Sequence, residues 1–374
     1  MTYPSKQKLV VIGPLPPPFA GTSVSFALFC EYLTLNPDKY HLEVINSAPK
    51  ELGRRSLFNV DNLFTASRIL GQLLFKASKA DKVLLFGNDQ FLISIMPVCL
   101  CIAKVMRKPF HVRVFGGSLD AYYLGLSPAL RRYFHWVIGH TDGLIFQTRA
   151  LRHFFYKHFG EKIHYVPGYR LMQKGCDSVP SRRGDSTNMK FVYVGHIREE
   201  KGIFVLLESF RLLAAEKAAA VECDLFGPVY PEIKERFEKE LANCPGVNYR
   251  GVLQPEDVVA TIRRYDAFVF PSFYRGEGHP GVLIEAMMSG LPIVTTKHKA
   301  IPELISHRVN GLLVPPRNPS ALAVAIRLLI DDSELLAKLA EQSYKMSSQY
   351  SSREVIPIIL SSIGFDVNER AIQA

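Results

Sequence analysis

Strand-like and helix-like segments alternate along the whole chain, and the alternation starts afresh after one polar interruption. Leu9–Ile12, His41–Asn46, Val83–Phe86, Phe110–Phe115, Gly143–Phe146 and Ile163–Val166 are short apolar runs that read as strands. Between them, Ser23–Thr34 is apolar-rich, and Leu57–Ala77 carries Leu63, Ile69, Leu70, Leu73 and Leu74 at helical spacing. Alternation of this kind predicts parallel sheets covered by helices on both faces. Residues 172–189 are rich in Gly, Ser, Pro and charge and almost free of apolar side chains, which predicts a linker. The pattern then resumes with strands over Lys190–Val194, Val221–Phe226, Ala267–Phe270 and Leu291–Thr295. Helices are expected around Ile203–Ala215, Pro255–Arg264, Ala321–Ile330 and Ser333–Met346. The chain therefore divides into an α/β domain over 1–171, the linker 172–189, a second α/β domain over 190–350 and a closing segment 351–374.

A length of 374 residues gives each domain its own core. Phe91–Val105 is the longest apolar stretch, but Pro97 and Lys104 interrupt it short of the roughly 18 residues a membrane helix needs. The apolar run Leu9–Ile12 is too short for a secretory leader and leads straight into Pro14, Pro16, Pro17 and Pro18. Six scattered cysteines, with only Cys99 and Cys101 close together, suggest no metal site and fit a reducing cytoplasm. Charge is unevenly placed. Residues 1–185 hold 24 Lys/Arg against 12 Asp/Glu, a balance of +12, whereas 186–374 hold 21 against 23, a balance of −2. The first domain is thus expected to face an anionic partner: a nucleic acid, a phospholipid surface or an anionic substrate.

The segment from Glu277 to Val294 carries the chemistry. An apolar run ends at Pro271-Ser272, a loop brings Glu277, and Pro280 is expected at the first helical position. Gly290 is a natural helix stop before the next strand. One carboxylate precedes the helix and another, Glu285, lies inside it, with a rise of about 7.5 Å between Pro280 and Glu285. That spacing suits a ligand with two hydroxyl-bearing ends and an anionic middle held at the helix start. A sugar nucleotide has this shape. Glu277 and Glu285 separated by seven residues, with Gly278, Pro280, Ala286, Gly290 and Pro292, resemble the signature of the retaining GT-B glycosyltransferases of the GT4 family.

The resemblance implies a GT-B architecture, in which two Rossmann-like domains face one another across a cleft that closes by a hinge. It also implies that 351–374 crosses back to the first domain. The first domain would bind the acceptor and the second a nucleoside-diphosphate sugar. Glu285 would hold the ribose hydroxyls and Glu277 those of the sugar. Gly278, His279, Pro280, Gly281 and Val282 would line the donor at the helix start. Gly195-His196-Ile197-Arg198-Glu199-Glu200-Lys201-Gly202 resembles the family's donor-phosphate motif, with Lys201 on the family's lysine. Where the family has arginine this chain has His196, so either Arg198 supplies the charge or His196 donates a hydrogen bond. Cations here would stabilise the departing diphosphate, which makes Lys201 and Glu277 the catalytic candidates.

Gly21 opens the first loop toward a phosphate or sugar, with Thr22 or Ser23 as helix cap. On the acceptor side the family often has a histidine after the fourth strand. Phe115 occupies that place here, leaving Arg113 and the backbone of Gly116 and Gly117 as acceptor-side candidates, while His111 reads as a core residue. No Asp-x-Asp occurs, so neither a metal nor a resident cofactor is expected. Aromatic and basic residues interleave over 131–162, which suits contact with acidic lipid headgroups at the inner face of a membrane as well as an ordinary amphipathic helix. The expected reaction transfers sugar to a glycan or lipid-linked hydroxyl in cell-surface polysaccharide synthesis. A sugar-nucleotide epimerase of the same fold, a phosphorylase carrying pyridoxal phosphate and a basic nucleic-acid binder are the competing readings. A nucleic-acid partner would not account for the Glu277–Glu285 pair.

Overall fold

The computed structural model describes residues 6–48, 60–172, 189–215 and 221–367. The chain forms two compact units, Met1–Leu171 with Ser352–Ala374, and Met172–Ser351. Most of the expected linker, residues 173–188, lies outside the described residues, as do 57–59 of the expected second helix and the end of the closing segment, 368–374.

In the first unit, β1 (Gln7–Gly13), β2 (Tyr40–Asn46), β3 (Lys82–Gly87), β4 (Phe110–Val114), β5 (Gly143–Phe146) and β6 (Ile163–Tyr165) form one sheet. Its order is β2-β1-β3-β4-β5-β6 and every pairing is parallel. The two-residue period of a strand sends Val10, Ile12, Val83 and Leu85 into one core and Leu9, Val11, Leu84 and Phe86 into the other. Helix Gly21–Thr34 covers the second face with Phe26 and Phe29. Helix Ser352–Ser362 packs beside it, adding Val355, Ile356, Ile359 and Leu360 to the same core. Lys82 fixes the end of that returning helix by donating to the carbonyl oxygens of Ile363 and Gly364.

The second unit repeats the plan. β7 (Met189–Val194), β8 (Val221–Phe226), β9 (Val247–Tyr249), β10 (Ala267–Phe270), β11 (Ile293–Thr296) and β12 (Gly311–Val314) form a parallel sheet in the order β12-β11-β10-β7-β8-β9. The sequence pattern had shown neither β9 nor β12. β9 is three residues, Val-Asn-Tyr, and β12 begins at a glycine whose Cβ would meet the Ile293 carbonyl at 2.5 Å.

In each sheet the winding direction reverses beside the first strand of the unit. In the first unit the switch lies between β1 and β3, and in the second between β7 and β10. Loops leaving the carboxyl ends of such strand pairs diverge to opposite faces, opening a crevice where open α/β sheets bind ligands. The second switch sets the loop after Val194 beside the loop after Phe270, the two segments the sequence had marked for donor chemistry.

Candidate active site at the second switch point

Close backbone approaches build this crevice. Gly195 follows β7 and Gly227 follows β8, and a Cβ on Gly227 would lie 1.9 Å from the Gly195 carbonyl oxygen. Gly202 has φ +82°, and a Cβ there would lie 2.1 Å from the Pro271 carbonyl oxygen. Only glycine permits both the left-handed turn and that contact. The amide of Phe273 donates to the Glu200 carbonyl at 2.8 Å, which fixes the two loops to one another.

Lys201 and Glu277 meet where the loops join. Lys201 Nζ lies 2.9 Å from Oε1 and 2.8 Å from Oε2 of Glu277, and the Ser272 hydroxyl donates to Oε2. The two side chains are 16% and 6% exposed, so the pair is largely withdrawn from water. Aromatic faces line its other side: Lys201 Nζ stands 5.4 Å from the Phe270 ring and 4.9 Å from the Tyr274 ring. Tyr274 is itself fixed by His298 Nε2 against its carbonyl oxygen at 3.1 Å. Ser272 and Tyr274 were not singled out from the sequence. Ser272 had a local signal, as the polar end of an apolar run five residues before Glu277, whereas the contacts of Tyr274 reach back to Arg198 and Lys201.

The two residues left open as the second phosphate contact differ in state. Arg198 pairs with Glu200 and lies over the rings of Tyr230 and Tyr274 at 5.0 and 5.2 Å. His196 is half-buried beside Tyr230, whose hydroxyl is 3.3 Å from Nδ1. Burial above all, then the charges of Lys201 and Arg198, hold the His196 imidazole down at about 4. At neutral pH it is an uncharged hydrogen-bonding group, and the local positive charge comes from Lys201 and Arg198.

The helix after the loop runs Gly281–Met288, so Pro280 is its N-cap and not its first residue. An N-cap keeps extended backbone angles, and Pro280 has φ −62° and ψ 120°. The first amide groups of this helix, those of Gly281 and Val282, lie outside its internal ladder and are available to an anion. Glu285 follows Gly281 by one turn on the same face and is half-buried. Gly290, at φ +66°, ends the helix with its amide donating to the Met287 carbonyl at 2.9 Å.

His279 takes another role from the one expected of a donor contact. Its side chain is 0% exposed, and Nε2 lies 3.2 Å from Glu303 Oε2. The imidazole ties the loop to the segment that carries Glu303 and packs edge-on to the Tyr350 ring at 6.4 Å. Gly278, between Glu277 and His279, is buried as well.

The first switch point carries a cavity of about 210 Å³, lined by Pro14, Pro18, Phe86, Asn88, Phe91 and Phe115 among others. Gly21 begins its helix, so both expected caps, Thr22 and Ser23, lie inside it. Ala20 is the N-cap, and the Ser23 hydroxyl takes the Ala20 amide at 2.9 Å. Gly116, at φ +91°, and Gly117 follow β4 after Phe115 and are half-buried. Arg113 does not reach a solvent-facing position. It points inward from β4, is 0% exposed, donates to the Pro167 carbonyl at 2.7 Å and lies 5.5 Å from the Tyr169 ring. Its neighbour by alternation, His111, is buried too, and burial lowers its imidazole to about 4. Among the described residues no three His, Cys, Asp or Glu side chains come together to hold a metal ion, and no helix is long and apolar enough to cross a membrane.

Two doubly wound units, each with a glycine-bounded crevice at its switch point, define the GT-B class of α/β protein. Residues 180–346, which lie in the second unit and make up under half of the chain, match the family model described as glycosyl transferases group 1. Over 171 residues the chain is 28% identical to the amylovoran biosynthesis glycosyltransferase AmsK of Erwinia amylovora, covering 44% of this chain and 41% of that protein. It is 28% identical over 189 residues to the putative colanic acid biosynthesis glycosyltransferase WcaL of Escherichia coli K12, covering 48% and 46%. The matched region is therefore less than half the length of these relatives. The crystal structure of Anabaena Alr3699/HepE with UDP and glucose superimposes with a TM-score of 0.71 over 96% of this chain and 99% of that one, at 16% identity. That likeness is one of fold.

Proposed function

We propose that the chain is a retaining glycosyltransferase that moves a sugar from a nucleoside-diphosphate sugar to a hydroxyl of a glycan or lipid-linked acceptor. The observation that carries this reading is the Lys201–Glu277 pair, set at the second switch point beside the open start of helix Gly281–Met288. Glu277 is held by Ser272 and Lys201 with its carboxylate ready to accept from sugar hydroxyls. Glu285, one turn into the helix, takes the ribose hydroxyls. An ammonium has three donors, and two are directed at Glu277, which leaves a third for a diphosphate oxygen. As the C1–O bond to phosphate breaks, negative charge grows on the leaving oxygen, and Lys201 with the amides of Gly281 and Val282 stabilises it. The acceptor oxygen forms the new bond to C1 from the same face, and the leaving phosphate takes its proton. Retention follows without a covalent intermediate, and the scheme calls for no metal and no resident cofactor.

AmsK and WcaL are named for amylovoran and colanic acid biosynthesis, which supports a setting in cell-surface polysaccharide assembly. The test is product analysis with a labelled sugar donor and a lipid-linked or oligosaccharide acceptor. Labelled product with the donor's anomeric configuration is expected. Release of free or isomerised sugar without an acceptor would instead assign an epimerase.

A further inference from the structure

Helix Pro128–Gly139 in the first unit buries Phe134, Val137 and Ile138 against the core. The opposite face of a solvent-facing helix is normally charged, but here Arg132 is the one charged residue that stands exposed among apolar and aromatic side chains. Tyr133 is 46% exposed and Trp136 55%, and Leu130 and Leu124 beside them are 52% and 54% exposed. Tyr133, Trp136 and His140 follow one another at steps of three and four residues and so lie along one line. The Trp136 and His140 rings are 4.3 Å apart, and Arg131 ties the preceding turn down by donating to the Leu124 and Leu126 carbonyls.

The charge in the surrounding sequence is mostly positive. Residues 121–162 contain six Lys/Arg against two Asp/Glu, a balance of +4. Both acids are already engaged: Asp142 pairs with Lys104 at 2.9 Å, and Glu161 accepts from the Tyr156 hydroxyl. Arg132, next to Tyr133, is exposed.

We propose that this face docks on an anionic phospholipid surface. Trp and Tyr settle at the headgroup level, with apolar body inward and polar edge in water. Cations around them gain from acidic headgroups, and apolar and electrostatic attraction together give stable interfacial binding. A second copy of the chain fits less well, because a self-complementary contact would set like charges face to face. The proposal deepens the transferase reading, on which it rests for its purpose, since it names the surface at which a lipid-linked acceptor would be met.

Trp136 is the only tryptophan in the chain, so its fluorescence reports on this face alone. The full chain is titrated at low salt with vesicles of phosphatidylcholine, with and without phosphatidylglycerol, and co-sedimentation is measured in parallel. A blue shift and pelleting with the anionic vesicles only are expected, with affinity about fivefold weaker for each cation removed near the surface. Arg132→Ala should show that loss, and Tyr133→Ala should weaken binding while an unchanged melting temperature shows that the fold is intact. Absence of both shift and pelleting would overturn the proposal. So would a shift that follows protein concentration without vesicles, which would make the face a contact between copies. Nucleotide binding is measured on the same samples: vesicle binding without it would sink the transferase reading and leave the docking surface standing.

Discussion

Lys201 and Glu277, 76 positions apart in sequence, share a two-pronged ion pair in a crevice that leaves them 16% and 6% exposed. Helix–strand winding explains the meeting: β7 and β10 are neighbours in the sheet, and the loops that leave them carry these two side chains. The pair supplies both signs that a sugar diphosphate needs, an acceptor for hydroxyls and a cation for the leaving group.

Removing one partner strands the other charge in a site poor in water. Lys201→Ala is expected to cost about 3 kcal/mol of stability, and the double variant Lys201→Ala/Glu277→Gln should recover a substantial part of it. Denaturant unfolding measures both. Transfer activity should fall about 10²- to 10³-fold in Lys201→Ala, the scale of losing one group that stabilises developing negative charge.

Gly202→Ala would place a methyl carbon 2.1 Å from the Pro271 carbonyl oxygen at φ +82°. Backbone strain and the clash together are expected to cost about 2–4 kcal/mol. Since the same contact sets the distance between the two loops, KM for the donor should rise as well. Steady-state kinetics with varied donor, beside a melting curve, checks both.

His196 and His111 are each held at about 4 in the folded chain, against an ordinary value of 6.5, by burial first. Depressed histidines favour the neutral native form, so the stability they contribute is present above 6.5 and is lost as pH falls from there toward 4. Melting temperature should therefore decline across that window, and His111→Asn should flatten the decline. His196 should add no break to the rate profile between pH 6 and 8, a range fixed by its value of about 4.

A mechanism resting on Lys201 and helix amides should proceed without a divalent ion. Treatment with EDTA is expected to leave the transfer rate unchanged, and a loss restored by Mg²⁺ or Mn²⁺ would show a metal at the diphosphate.

Among the described residues ten of the twelve strands were legible; the inner ones such as β1, β3 and β10 are buried on both faces and read as apolar runs, and β2 and β8 kept enough apolar residues to be seen. β9 and β12 were not, since three residues with a central Asn and four opening on Gly carry no such run. The Glu277–Glu285 unit was legible because proline, glycine and carboxylates punctuate it at fixed spacing. Contacts across distant segments left no local mark: Tyr274 beside Arg198 and Lys201, and Glu303 under His279. Arg113 shows the limit from the other side. Strand alternation gave its face, but the burial of that face came from Tyr169 and the returning helix, far along the chain.

Nucleotide binding to the second unit's crevice tests the central claim most directly. Thermal shift of the full chain with UDP, GDP, ADP and CDP, repeated on Lys201→Ala and Glu285→Ala, should single out one nucleotide. At about 100 times Kd it should stabilise the protein by about 2.7 kcal/mol, with the effect much reduced in both variants. A panel in which no nucleotide stabilises the chain, or in which both variants respond as the parent does, would contradict the account.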